Sequence, residues 1–521
     1  MARIELQQSV LDLLRNLHGL EPLKQLFWSE LNYQRINQPL SRRGWSDTTA
    51  KLLADDPLLF AGGGESNDFH VIYARMRSDR LPLGHERPIV SRFTKDHPYA
   101  LFIISNEDQD LWHFINVKFD EETEKRRQFR RITVGPDERL RTASERLALL
   151  DLSSISPDLF GLPPLTIQER HDEAFDVEAV TKEFFHLYGD AFYGVEESIT
   201  GFEESKEGKE TRHLFTQQLF NRLLFVAFIQ KKGWLKIDGR TDYLAALWAN
   251  YEKARDKGDN FYQQRLQALF FSGLNNAGSV NIIGINRGGF LSKLIGEVPY
   301  LNGGLFEENE LDKVKGITVP DKSIQSILFS LFGRFNFTVS ESTPLDQEVA
   351  VDPEMLGTIF EELITGRHEQ GAYYTPKPIV SFMCREALKG YLQSKCESAT
   401  KTAVDEFVEN HDPSLIRKPE AVLDALRTVT VCDPACGSGA YLLGMLHELM
   451  DLRDCLFVSH KIGAKDAYDR KLEIIQNNLY GVDIDPFAVN IARLRLWLSL
   501  AVEFGGEDGE TPPPCRTWNS R

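Results

Sequence analysis

Residues 433–439 read Asp-Pro-Ala-Cys-Gly-Ser-Gly, and residues 481–486 read Gly-Val-Asp-Ile-Asp-Pro. Each stretch sets a carboxylate where an apolar, β-branched run gives way to a helical pattern. The alternating Thr-Val-Thr-Val at 428–431 predicts a buried strand with Asp433 at its carboxyl end. Gly437 and Gly439 then bracket a turn, and a helix is predicted from about Ala440. In open α/β sheets ligands bind outside the carboxyl ends of the strands, so this turn is where a ligand belongs. Its glycines let backbone approach that ligand without interference from a Cβ.

An acid at this position suits a cationic or hydroxyl group better than a phosphate. A phosphate-binding loop would need a Gly-Lys-Ser/Thr, and the turn has none. S-adenosylmethionine carries a sulfonium and an amino group, and Asp433 fits both. Asp483 is predicted to end the next strand, where a carboxylate can take both ribose hydroxyls, as in nucleoside-binding sheets. A lone Gly-Ser-Gly after a strand is often only a tight βα turn. The joint occurrence with the second acidic strand end, and with Gly-Ala-Tyr-Tyr-Thr-Pro at 371–376, points to a site.

Two successive strand–turn–helix units predict a parallel, doubly wound sheet at the carboxyl end of the chain. Three parts are expected along the sequence. Residues 1–165 open with a helical pattern and then carry four strand-like runs, FHVIYARM, YALFIIS, WHFINVKF and FRRITV, which predict a small α/β domain with a mostly meandering sheet. The proline-bearing segment 151–174 reads as a linker. Residues 166–345 read as a helical connector, dominated by the apolar stretch 212–235, which ends in two lysines and Gly233. Residues 346–521 hold both acidic turns. The expected fold class is therefore multidomain α/β, with an incomplete Rossmann-like sheet at the end.

With 521 residues, 42% hydrophobic and 26% charged, the composition is that of a globular protein. No apolar run reaches the roughly 20 residues of a membrane helix, and the amino terminus has no signal-peptide core. Six cysteines without a Cys-x-x-Cys pair give neither a disulfide framework nor a zinc site, so a reduced, cytoplasmic chain and no metal are expected. Cys432 and Cys436 read as small packing residues. The net charge of −17 speaks against a basic coat but leaves a local basic groove open. The densest basic region, from Arg126 to Arg146, reads either as a solvated face or as a stripe that contacts phosphates.

At these motifs the chain resembles the amino-group DNA methyltransferases. The sequence 433–439 resembles their motif I, 481–486 their motif II, and 371–376 their motif X, placed upstream as in type IIG and Eco57I-like γ-class adenine-N6 methyltransferases of restriction-modification and phage-defence systems. PYLNGGLFEE at 299–308 and FNRLLFVAFIQKKGWL at 220–235 are also similar to that group. The resemblance runs over about residues 210–502. It implies S-adenosyl-L-methionine as cofactor and double-stranded DNA as partner. Tyr374, Thr375 and Pro376 would approach the methionine end of the cofactor. Asp433 would meet its amino group, with Pro434, Ala435, Gly437 and Gly439 lining the turn, and Asp483 would bind the ribose.

The family's catalytic Asn/Asp-Pro-Pro-Tyr/Phe loop, which receives the flipped base, has no counterpart in the sequence. The expectation is the front part of a larger methyltransferase, whether truncated, frameshifted or one subunit of a split enzyme, and catalytically incomplete alone. Its sheet edge would be covered by a partner chain or a second copy. Many relatives carry a PD-(D/E)xK nuclease at the amino end. Here Asp68 is followed by Tyr73-Ala74-Arg75 where an acid and a lysine belong, and Asn116-Val117-Lys118 is no better, so a degenerate, structural or DNA-contacting domain is expected. Two other readings stay open, a non-catalytic DNA- or partner-binding subunit and a metal-dependent nuclease.

Overall fold

The runs of β-branched and aromatic residues before residue 135 can bury their area only by pairing edge to edge. They do so in a seven-stranded sheet whose spatial order follows the chain. The strands are β1 (Gln34–Pro39), β2 (Leu58–Gly63), β3 (Phe69–Arg75), β4 (Ala100–Ser105), β5 (Trp112–Phe119), β6 (Arg127–Val134) and β7 (Asp346–Glu348). Neighbours are antiparallel except β3–β4 and β6–β7. The computed structural model describes residues 2–119, 127–136, 138–157, 161–275, 290–299, 301, 304–338, 346–363, 375–460 and 466–504. Among these, no helix is long and apolar enough to cross a membrane.

The chain divides into two compact units. The first comprises residues 1–187, 330–336 and 342–351 and holds the seven-stranded sheet. Its longer helices are α1 (Ala2–Arg15), α2 (Leu83–Asp96), α3 (Leu140–Leu147), α4 (Pro164–Ala174) and the start of α5 (Val177–Ser198). The parallel β3–β4 pair needs a crossover, and α2 supplies it by burying Ile89, Val90 and Phe93 against Phe102 and Ile115. The four strands read from sequence are β3 to β6; β4, β5 and β6 form a meander, and β3 joins β4 through the helical crossover instead. The segment 151–174 is not a linker. Pro163 and Pro164 open α4, where a missing N–H costs nothing. The helix then buries Ile167, His171 and Ala174. Gln168 donates to Asn116 at 2.7 Å and Asn116 to Asp172 at 2.6 Å, fastening α4 to β5. The sequence boundary at 165 thus falls inside a helix of this unit.

The second unit comprises residues 188–329, 337–341 and 352–521. It holds α6 (Lys206–Ile229), α7 (Tyr243–Ala254), α8 (Glu354–Leu363), α9 (Lys377–Lys395), α10 (Lys401–Asn410), α11 (Pro419–Thr428), α12 (Ala440–His460), α13 (Ala467–Asn477) and α14 (Pro486–Glu503). Its strands β8 (Val431–Asp433) and β9 (Leu479–Gly481) form a parallel pair. Ser205 caps α6, and every residue from Phe215 to Ile229 is buried, as the all-round apolar pattern demands. Gly233 closes this segment in the left-handed conformation, φ 69°. Arg222 of α6 lies buried, pairs with Asp312 and donates to the carbonyls of Leu305 and Glu307. That contact joins the two similar sequences, 220–235 and 299–308, in one place. Phe225 packs tilted and Trp234 edge-on against Trp497 of α14, so the helical connector and the second acidic turn share a core.

The Thr-Val-Thr-Val strand is corrected. Val422, Leu423 and Leu426 keep α11 helical to Thr428, and β8 begins only at Val431. It is also not buried: Cys432 is exposed and Val431 and Asp433 are half-buried.

Candidate functional site

The turn after β8 is built from backbone hydrogen bonds that cross between the two acidic segments. Val482 N–H donates to the Asp433 carbonyl at 2.9 Å, and Cys436 N–H donates to the Val482 carbonyl at 2.9 Å. Gly439 N–H closes the turn on the Cys436 carbonyl at 2.8 Å, and α12 starts at Ala440 as expected. Gly437 and Gly439 both take positive φ, 50° and 86°. A side chain at Gly439 would also put its Cβ 2.8 Å from that of Ala492 on α14. Glycine is required there twice over.

The two acids converge on this turn. Asp433 accepts from Ala435 N–H at 3.2 Å. Asp483 lies two residues past β9, not within it. Its Oδ2 accepts from Gly437 N–H at 2.8 Å and its Oδ1 from Asp485 N–H at 2.9 Å. Burial pushes the Asp433 carboxyl above its ordinary value, and the negative Asp483 pushes it the same way against the Ala435 bond. A half-buried carboxylate beside a second one is short of positive charge. Pro434 and Ala435 are exposed, so the turn opens to solvent. Cys436 is buried beneath Gly481 as a packing residue; Cys432, also read as one, is solvent-exposed instead.

The upstream element arrives on α9. Pro376 precedes its first turn, with Thr375 half-buried just before; Tyr374 lies outside the described residues. Lys377 fixes this helix start to Asp352 at 3.5 Å and to Glu354 at the start of α8. The helix lies close along α12, because a Cβ at Gly444 would collide with Val380. Cys384, two turns into α9, has its thiol pushed up to about 12 by burial first, then by the charge of Glu448 against that of Arg385, with a smaller contribution from Asp433. Glu448 of α12 holds the same contact by accepting from Ser381 and from Arg385, each at 2.9 Å.

Sequence reasoning missed the groups behind the turn. Arg495 of α14 is buried, and its Nη1 donates to the Ser438 carbonyl at 2.9 Å. Ser438 is fully buried, and Gly357 of α8 packs against it. The available signal was an arginine within the apolar stretch Leu-Arg-Leu-Trp-Leu, which must find a buried acceptor.

In the first unit, Glu65 and Asp68 are exposed, and no cluster of metal-ligating residues occurs among the described residues. Much of the basic region is engaged internally. Arg131 is buried beside Glu86, Arg130 donates to Gln128 and to the Asp172 carbonyl, and Arg146 donates to the Glu173 and Asp176 carbonyls. Arg141 stays exposed beside Glu145, and Arg126 and the side chain of Arg127 lie outside the described residues.

Residues 409–504 match the family described as MmeI, DNA-methyltransferase domain. A Methanocaldococcus jannaschii protein named as a type II restriction enzyme and methyltransferase is 33% identical over 303 residues, covering 55% of this chain and 25% of its own. DNA methyltransferase A of Bacillus subtilis is 24% identical over 207 residues, 39% of this chain and 20% of its own. The adenine-specific methyltransferase PglX of Streptomyces coelicolor is 32% identical over 117 residues, 22% of this chain and 9% of its own. The chain thus spans about a quarter of the first relative's length. Among solved structures, a DNA complex of the type IIL restriction-modification enzyme MmeI is similar at 18% identity with a TM-score of 0.35, covering 65% of this chain and 38% of that one. The resemblance to type II and type IIG-like DNA methyltransferases therefore extends beyond the motifs that first carried it.

Proposed function

We propose that this relative of the type II restriction-modification methyltransferases is the cofactor-binding part of a site-specific adenine-N6 DNA methyltransferase acting in the cytoplasm. The observation that carries the reading is the pair Asp433 and Asp483 on one glycine turn at the carboxyl ends of two parallel strands. The donor set fits S-adenosyl-L-methionine: a half-buried carboxylate beside a second negative charge suits a cation, and the second carboxylate, bonded to the same turn, suits ribose hydroxyls. Asp433 would hold the amino group, Asp483 the ribose, and Thr375 and Pro376, with Tyr374, the methionine end. Pro434, Ala435, Gly437 and Gly439 would line the turn. When bound, the cofactor supplies the activated methyl group.

Rossmann-like architecture for the second unit is part of this proposal, supported by the parallel β8–β9 pair with a helix after each strand. Residues 1–521 carry no Asn/Asp-Pro-Pro-Tyr/Phe sequence to grip a flipped adenine. Methyl transfer then requires residues beyond these, whether in a longer chain or in a partner, and DNA is the substrate of that larger assembly. Titration calorimetry of the chain with S-adenosylmethionine and S-adenosylhomocysteine tests the first part. Binding that disappears in Asp433→Ala is expected, and its absence in the parent chain overturns the reading. Incorporation of labelled methyl into DNA tests the second. None is expected from the 521-residue chain alone, and transfer above the no-enzyme background would show that its catalytic group lies within it.

A further inference from the structure

We propose that Arg495 is a positioning residue for cofactor binding, fixing the Gly437-Ser438-Gly439 turn from behind while Gly357 lets α8 close the same face. The proposal rests on the reading that this turn receives S-adenosylmethionine.

An arginine buried to 2% exposure needs acceptors for its guanidinium, and here one of them is the backbone of the turn itself. Nη1 donates to the Ser438 carbonyl at 2.9 Å and lies 3.4 Å from Ser438 Oγ. The residue thus acts on the peptide whose neighbours, Gly437 and Gly439, carry the left-handed backbone. Two glycines around one residue leave a turn free to rearrange, and a charge-assisted bond to a buried carbonyl removes that freedom. On the same side, a Cβ at Gly357 would lie 2.5 Å from Ser438 Oγ and 2.8 Å from Arg495 Nη1. Helices α8 and α14 therefore clamp Ser438 at one place, one through a bond and the other through the lack of a side chain. On the open side of the same turn stand Gly437 N–H and the Asp483 carboxylate. The clamp sets where those groups stand before any ligand arrives, which is how a site reduces the ordering cost of binding.

Three variants of the full chain test this. Arg495→Met keeps the length and apolar stem of the side chain and removes its donors. Arg495→Lys restores one donor. Gly357→Ala presses on Ser438 Oγ and on Arg495 Nη1 together, disturbing the same contact while keeping the arginine. Two readouts are used: calorimetric affinity for S-adenosylhomocysteine, and amide hydrogen exchange over residues 436–440 against the interior of α12. Arg495→Met and Gly357→Ala are each expected to weaken binding roughly tenfold, the loss of about one charge-assisted hydrogen bond. Faster exchange should be confined to the turn while α12 keeps its protection. Arg495→Lys should recover most of the affinity, which a merely space-filling role would not produce. Wild-type affinity and unchanged turn exchange in Arg495→Met overturn the proposal. So does loss of protection throughout α12, which would make Arg495 a general stabiliser. If the parent chain binds no cofactor, the functional reading fails, and the exchange measurement still decides whether Arg495 orders the turn.

Discussion

The Asp483 carboxylate accepts a hydrogen bond from the backbone N–H of Gly437 at 2.8 Å, so the acid of the second strand–turn–helix unit holds the glycine turn of the first. A carboxylate oxygen can accept more than one bond, and Asp483 can keep Gly437 while taking a hydroxyl. On the proposed function its role is double, support of the turn and recognition of the ligand. Asp483→Asn retains one acceptor oxygen and loses the charge. It should preserve the turn, as judged by hydrogen exchange at Gly437, and weaken S-adenosylmethionine binding roughly tenfold, the value of a hydrogen bond to a charged group. Asp483→Ala should lose both. Equal behaviour of the two variants would contradict the double role.

Asp433 gives a prediction with opposite signs for stability and binding. Burial, with the charge of Asp483, raises its pKa in the folded state above the ordinary 3.8. A raised folded value means the contribution to stability is present below 3.8 and is lost as pH rises through the folded value. At neutral pH the ionised Asp433 therefore costs the free protein stability, and Asp433→Asn should raise its melting temperature. The same substitution removes the anion that a sulfonium or ammonium group would meet, so cofactor binding should fall. In the parent chain affinity should weaken as pH is lowered through the raised pKa, with proton release on binding in that range. A flat affinity profile from pH 7 to pH 4 would count against Asp433 as the cation's partner.

How much of this could be read beforehand differs from element to element. The turn at 433–439 was legible because its chemistry is local: glycines where φ is positive, an acid at a strand end, a helix start at Ala440. The strand before it was not, because Val422, Leu423 and Leu426 extend a helical stripe into the Thr-Val-Thr-Val run, and tertiary packing on α12 decided the outcome. Pro163 and Pro164 looked like a linker since proline marks both loops and the first turn of helices. Only the burial of Ile167 and His171 distinguishes them. Arg131 and Arg146 looked like surface charge because their partners, Glu86 on α2 and the carbonyls of Glu173 and Asp176, come from other elements. Arg495 stands out in its apolar stretch, but its acceptor does not, since the carbonyl it serves is 57 residues away.

Glu448 should dominate the acid sensitivity of the second unit's core. Burial by itself would raise its pKa, but His411, Arg385 and Ser381 outweigh burial and hold it below the ordinary 4.5. A lowered folded value supplies stability that is present above 4.5 and is lost as pH falls through the folded value. Glu448→Gln should therefore destabilise the chain at neutral pH by about 2 kcal/mol, since it leaves Arg385 with the more exposed and more distant Glu409 as its counter-charge. The gap between variant and parent should close as the pH falls from 4.5 through the folded value, below which the native parent acid is itself protonated. Denaturant unfolding at pH 7 and at a series of pH values descending from 4.5 provides the comparison. A difference that persists undiminished at the lowest pH would assign the effect to shape and not to charge.

The sheet of the second unit makes a final prediction, about association. Strands β8 and β9 pair only with one another among the described residues, and parallel strands are ordinarily covered on both faces. Here Tyr480 is 50% exposed, Val482 57% and Ile484 98%, with Cys432 also open to solvent. Backbone groups at a sheet edge beside such side chains are a template for another strand. A second copy of the chain brings the same edge and the same apolar row, so the chain alone should self-associate through this region as its concentration rises. Ile484→Lys places a charge in the row without entering any core, and Tyr480→Ser removes its aromatic. Light scattering should show the parent shifting to larger species over the micromolar range and the double variant remaining at its monomer mass. Cofactor binding should also be weaker than micromolar in the parent, since among the described residues no strand pairs with β8 besides β9. A monodisperse parent that binds S-adenosylmethionine tightly would mean that the edge is already covered and the pocket already walled.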